Sequence, residues 1–532
     1  MTAPLLLANA LLTGREGLYD VLLDAGRVAA VVPAGSDVEV ATGVRTRVAE
    51  RVDVAGRRVI PGLWDMHTHM TQWAMVRRRL DVSAATSAEH AARLVRAGLD
   101  DPAYAPAPGL PLVGFGFRWA AWPQEPTAAV LDAVAGEVPV VLLSGDLHTA
   151  WASTAGMRYL GVEHPTGLLR EEEWMPASPR LVALPDDVTD ALVVDAAAAA
   201  AARGVVGVVD LEVADNLAVW RRRATAGWEG LRVRAGVWEQ YLDAVLTEGL
   251  RTGDPLVPGA AHGVPRAGSD ALLAQGPLKV ISDGSLNTLT AFCFDPYPGV
   301  TGQDAHGVLN VAPDHLVPLM TRAHQGGLRC AIHAIGDHAN ALALDAFAAS
   351  GARGSVEHAQ LLRWEDVERF AALGVVASVQ PEHAMDDRDL TPHLWPGRDE
   401  RTFPLASLLR AGVTLQLGSD APVAPLDPWQ AVASATTRSR DGREPWHPEQ
   451  RIDLVAALEA SVDGLPLALA PGMPADLAVL DTDPLAVGHG EGGRDGDGGR
   501  GGAADPREVA TALRSTVVGA TLVAGRFTHR AL

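Results

Sequence analysis

The sequence predicts an α/β protein: a (β/α)8 TIM barrel, a β-sandwich built from both chain termini, and an insertion between barrel strands 1 and 2. Three observations predict it. Short, strongly apolar segments alternate with helix-like stretches through the middle of the chain, as in a parallel sheet buried on both faces. Strand-like segments with Gly-rich turns recur at both ends. Residues 70–203 are far too long for one strand-to-helix loop and demand a subdomain of their own.

Taken in order, the first 58 residues hold "LLLANALLTG", "LYDVLLDAGRVAAVVP" and "RVDVAGRRVIPG", alternating apolar segments separated by turns. The C-terminal end has the same texture in "ADLAVLDTDP" and "STVVGATLVAGRFTH". Residues 1–56 and 466–532 are therefore expected to share one sandwich around a barrel of residues 57–465. Eight barrel strands are expected within 57–67, 204–213, 231–239, 277–284, 328–337, 354–360, 374–382 and 413–422. The apolar stretch "DALVVDAAAAAAARGVVGVV" contains Asp195 and Arg203, so it reads as a buried helix leading into a strand rather than a membrane span. Residues 488–506, "GHGEGGRDGDGGRGGAADP", cannot build a core and read as a flexible loop.

Composition narrows the function. With 48% hydrophobic and 20% charged residues, the chain is of the soluble globular type. A formal charge of −21 argues against a nucleic-acid or anionic-membrane partner, since both want a basic face. Two cysteines, Cys293 and Cys330, make no disulfide scaffold and fit a reduced cytoplasm; both read as small buried hydrophobes. The opening "MTAPLLLANALLTG" lacks a basic leader segment and reads as a first strand.

One residue stands apart. Of 44 basic residues 43 are arginine, and the single lysine is Lys279 in "GPLKVISDGS". A primary amine can lose its proton and react, as a guanidinium cannot. Histidines and an aspartate are expected at the same end of the barrel, where such folds build active sites. "DMHTH" carries His67 and His69, two apart on a strand and so facing one side, able to reach one ion. His333 ends the fifth strand, His358 the sixth and Asp420 the eighth. Each alone is more often a satisfied polar residue than a ligand; their shared position is what points to a metal.

Through these residues the chain resembles the amidohydrolase superfamily. In "PVVLLSGDLHTAWAS", "LKVISDGSLNTLTAFCFDPYPG", "IHAIGDHANALALDAF", "SVEHAQ" and "GSDAPVAPLDPW" it is similar to the amidohydrolase-3 group, which includes the N-substituted formamide deformylases. The resemblance implies two divalent metal ions, with carbon dioxide held as a carbamate on Lys279 between them. His67, His69 and Asp420 would hold one ion, and His333 and His358 the other. Zinc is the default for so nitrogen-rich a set, although manganese, iron or cobalt occupy similar sites. The implied reaction is hydrolysis of a C–N bond in an amide or N-substituted formamide by a metal-bridging hydroxide, with Asp420 as general base and acid. His148 would face the substrate and donate to the oxyanion. Trp119, Trp122, Trp151 and His383 would line a pocket, with ordinary packing an equal reading for the tryptophans. Asp283 and Asp337 would orient ligands. The substrate would be a small molecule and the assembly a homodimer.

Two departures from the pattern, an abbreviated "RIDLVAALEASVDGLPLALAPGMPADL" and the 488–506 loop, lie away from these residues. A deaminase or cyclic amide hydrolase is the alternative reaction, though a single-metal deaminase has no use for Lys279. A non-catalytic binding barrel is the alternative of another class, and it would be expected to lose ligands that are all present here.

Overall fold

Gly62 is where the chain leaves one sheet and enters another. The computed structural model describes residues 3–43, 48–117, 119, 122–144, 149–174, 176–257, 271–487 and 504–532. The segment expected as one strand over 57–67 divides at this glycine: Arg58–Pro61 joins the sheet built from the chain ends, and Leu63–Thr68 opens the barrel. A Cβ at position 62 would lie 2.1 Å from Val206 Cγ1, so the absence of a side chain permits the crossing.

The barrel strands are β1 (Leu63–Thr68), β2 (Val205–Asp210), β3 (Arg232–Trp238), β4 (Leu273–Ile281), β5 (Cys330–Ala334), β6 (Gly354–His358), β7 (Val376–Val379) and β8 (Leu415–Leu417). They pair in parallel in that order. The barrel is nearly closed where its ends meet. Thr68 bridges Ala421, Asp420 N donates to His67 O at 2.7 Å, and His69 N donates to Ala421 O at 2.8 Å. Strand β4 starts earlier than expected and stops before Asp283. Gly276 lies inside it rather than before it, because a Cβ there would sit 2.7 Å from the Ala235 carbonyl carbon on β3. Helices Pro313–Gln325, Asp337–Ser350 and Trp364–Leu373 bury Met320, Leu344 and Phe370 against Leu278, Ile332 and Val356 in one apolar cluster.

Strands from both chain ends share a second, eight-stranded sheet. Leu477–Leu480 lies antiparallel to Arg58–Pro61, with Ala478 opposite Ile60 and Val479 opposite Val59. Val518–Val523 and Arg526–Arg530 extend it on one side, and Leu5–Leu12, Leu18–Asp24 and Arg27–Pro33 on the other. Leu7, Val21, Val59, Leu477 and Leu522 meet in its core. The helix Pro506–Arg514, capped by Asp505, begins inside the range expected as loop; residues 488–503 of that range lie outside the described residues.

Residues Thr71–Ala196 form a separate compact unit. Its five-stranded sheet runs Leu168–Arg170, Thr149–Ala152, Val140–Ser144, Leu112–Phe117, Leu80–Asp81. Alternation along Val140–Ser144 sends Val140 and Leu142 to one apolar cluster and Val141 and Leu143 to another, so both faces are covered. Helix Asp186–Ala201 leads into β2, as the Ala-rich pattern predicts. Among the described residues no helix is long and apolar enough to cross a membrane.

Candidate metal centre

Period-two alternation places Asp65, His67 and His69 on one side of the first barrel strand and its extension. Asp65 is buried and accepts from His67 N at 3.1 Å and Ser419 N at 2.9 Å, so it ties the first strand to the chain leaving β8. Burial pushes its carboxyl up to about 6. The backbones touch here: a Cβ at Gly418 would lie 2.8 Å from His67 N.

His67 is held from behind. Its Nδ1 lies 2.9 Å from Glu357 Oε2 and 3.3 Å from Gln380 Nε2. A carboxylate on Nδ1 fixes the proton there and leaves the Nε2 lone pair facing inward. That nitrogen meets Lys279 Nζ at 3.3 Å and Asp420 Oδ1 at 3.4 Å. His69 Nε2 lies 3.2 Å from the same oxygen, and His383 Nε2 lies 3.4 Å from Asp420 Oδ2. Asp420 thus stands between two groups whose ligand atoms lie within 4.8 Å of one another: His67, His69, Asp420 and His358, His383, Asp420. His333, expected beside His358 as a ligand, packs edge-on against it with ring centroids 4.4 Å apart. Its Nε2 faces Gly284 O at 3.3 Å and Asp283 Oδ1 at 3.4 Å.

The electrostatics favour neutral imidazoles at His67, His333 and His358 and charged carboxylates at Glu357 and Asp420. Burial, reinforced by Lys279, holds His67 below its ordinary value and His333 down at about 3; burial also holds His358 well below. Burial lowers the Lys279 amine, which is 1% exposed. Burial alone would raise Glu357 and Asp420. The adjacent His67 ring and the Lys279 charge hold Glu357 below the usual range, and the surrounding imidazoles hold Asp420 well below it. Burial lowers His383, but its bond to Asp420 together with the charges of Asp420, Asp387 and Asp386 leaves it raised. Asp420 (φ 58°) and His358 (φ 71°) both adopt the left-handed region, a strained backbone typical of functional positions.

A divalent cation fits this donor set. The ring nitrogens His69 Nδ1 and His358 Nδ1 are buried with no hydrogen-bond partner. An unsatisfied buried polar atom costs about 1–3 kcal/mol, so a site rich in imidazoles with such atoms is built for something beyond protein contacts. Neutral imidazoles with ionised carboxylates suit the borderline first-row metals.

The other expected site residues have surroundings of their own. Asp283 accepts from Phe292 N, Ile335 N and Gly336 N at 2.9, 3.1 and 2.9 Å, and burial pushes it up to about 7. Its carboxylate therefore braces the loops after β4 and β5 as well as approaching His333. Asp337 accepts from Phe294 N at 3.0 Å and from Arg401 at 3.4 Å. In the Thr71–Ala196 unit, Trp151 is fully buried, edge-on to Phe117 and Trp122. Trp122 donates to Ala85 O, and Trp119 lies under the Arg170 guanidinium. His148 lies outside the described residues. Sequence reading missed Asp65, Glu357, Gln380 and Gly418. Asp65 was within reach, since the alternation that pairs His67 with His69 includes it.

Residues 50–529 match the model of the amidohydrolase family. Protein LONG AFTER FAR-RED 3 of Arabidopsis thaliana is 27% identical over 485 residues, covering 81% of this chain and 79% of its own length. The N-substituted formamide deformylase of Arthrobacter pascens is 26% identical over 534 residues, covering 88% and 91%. An uncharacterized metal-dependent hydrolase from Pyrococcus furiosus shares the fold, with a TM-score of 0.73 and 23% identity over 91% of this chain and 100% of its own.

Proposed function

The chain belongs to the amidohydrolase family, and from that premise we propose that it is a metal-dependent hydrolase cleaving a C–N bond in an amide or N-substituted formamide. The observation that carries the proposal is Asp420, a carboxylate shared by two groups of buried or half-buried imidazoles at the barrel rim. His67, His69 and Asp420 would hold one divalent cation, and His358 with His333 or His383 the other. Zinc is the ion the donors favour. Lys279, its amine made nucleophilic by burial, would carry a carbamate that joins the two. When bound, the cations supply an acidified water and a polarised carbonyl.

The chain's own groups divide the remaining work. Asp420 takes the proton of the attacking water and delivers it to the departing amine, the role of a positioned carboxylate. His383 bonds to Asp420 Oδ2 and keeps that carboxylate in place. Glu357 holds His67 in one tautomer. By the resemblance, His148 would donate to the oxyanion, and Trp119 and Trp151 would line the pocket for an N-substituent. The similarity to a deformylase of N-substituted formamides is what favours that substrate class.

The test is metal analysis of zinc-grown protein followed by a screen of amides, N-substituted formamides, hydantoins and lactones. Bound metal and turnover of an amide or formamide are expected. Protein with less than one ion per chain, or one that hydrolyses only lactones, would overturn the reading.

A further inference from the structure

The Thr71–Ala196 unit contains a cavity of about 390 Å3, within the size range of small-molecule sites. Its wall includes Met75, Leu110, Val113, Leu184, Val188 and Leu192, half-buried apolar side chains from three separate segments of the unit. Two arginines interrupt this wall, and they come from the run Arg77-Arg78-Arg79.

The three arginines meet different fates. Arg77 pairs with Asp195 at 2.9 Å and covers the Trp73 ring. Arg78 donates to Pro102 O at 3.4 Å and Ala105 O at 3.2 Å, which leaves its charge without a carboxylate. Arg79 lines the cavity with no hydrogen-bond or ion-pair partner for its guanidinium among the described residues. Burial holds that guanidinium below its ordinary value, with no acid beside it to raise it. In a chain with 65 acidic and 44 basic residues, a half-buried arginine lacking any carboxylate is unusual. The Tyr104 hydroxyl, also on the cavity wall, has no partner among the described residues either. Asp187 is on the lining but exposed.

We propose that this cavity binds a small amphiphilic monocarboxylate, its carboxylate on Arg79 and its hydrocarbon body along the apolar wall. A guanidinium offers paired N–H donors matched to a carboxylate, and an apolar wall rewards a tail that leaves water. The proposal stands on this unit alone and does not depend on the metal centre.

Octanoate is the probe, titrated calorimetrically into the full-length protein, with 1-octanol as its neutral counterpart. One octanoate per chain is expected, with 1-octanol at least about tenfold weaker. Arg79→Met removes the charge at similar length, and Ala191→Trp fills the cavity from an exposed position on its lining. Both should weaken octanoate at least about tenfold, whereas Asp420→Asn should leave it unchanged. No binding to the wild-type chain would overturn the proposal. So would equal binding of 1-octanol, or octanoate binding that survives both cavity substitutions. Loss of binding only in Asp420→Asn would place the carboxylate at the metal centre and equally refute the site.

Discussion

Glu357 Oε2 lies 2.9 Å from His67 Nδ1, so the imidazole presents its other nitrogen to Lys279 and Asp420. A carboxylate behind a ligand histidine fixes ring orientation and tautomer together. Glu357→Gln keeps the shape and removes the charge. Metal affinity, measured by competition with a chelator, is expected to fall about 10–100-fold, with kcat largely kept at saturating metal. Unchanged affinity would mean that Gln380 alone orients His67.

Lys279→Arg keeps the positive charge and removes the amine that can react. The purified variant should carry fewer metal ions per chain than wild type and lose activity. Wild-type protein equilibrated with 13C-bicarbonate should show a carbamate resonance that the variant lacks. Wild-type metal content and turnover in the variant would show that the amine makes no ligand.

Asp420→Asn tests the proton carrier. The amide still fits between His69 and His383 but takes no proton, and kcat should fall by about 10²–10⁴-fold. A variant with wild-type kcat would assign the proton transfer to another group.

Gly418→Ala tests the seam between the first and last barrel strands. The new methyl would lie 2.8 Å from His67 N and 3.0 Å from His67 Cβ, both on a buried strand with little freedom to yield. A loss of about 1–3 kcal/mol in denaturant unfolding is expected, together with weaker metal retention. Wild-type stability would show that the seam opens at little cost.

The cysteines give a pH prediction. Burial pushes both the Cys293 and Cys330 thiols up to about 12. The native protein should therefore resist a thiolate-dependent reagent at pH 9, while denatured protein reacts at both positions. The sign of the linked stability follows. Above the unfolded thiol value of about 9, the unfolded chain releases protons that the native chain keeps, so stability falls as pH rises towards 12. Rapid native labelling at pH 9 would contradict the burial.

Much of the barrel was legible because a strand covered on both faces must be apolar along its length, and each expected segment overlaps a strand, although the fourth begins at Leu273, ahead of its expected range. The division at Gly62 was not, since "RRVIPGLWDMH" is equally apolar on both sides and only distant Val206 marks the crossing. Lys279 stood out by composition, but composition does not tell that it is buried beside His67 Nε2. Glu357 was not: its partner is on the opposite side of the sheet order, and a glutamate beside a histidine has no periodic signature. The expectation for Asp337 shows the same limit. An acid at a strand's exit was read as a ligand orienter, while the fold bonds it to Phe294 N and Arg401.

The pairing of Leu477–Leu480 with Arg58–Pro61 has a consequence for biogenesis. A nascent chain emerging from the ribosome exposes the edge of its N-terminal strands, Val59 and Ile60 included, throughout translation of the barrel. Closure of that sheet waits until residues 477–480 have been synthesised, so this strand edge stays unshielded while the barrel is being made.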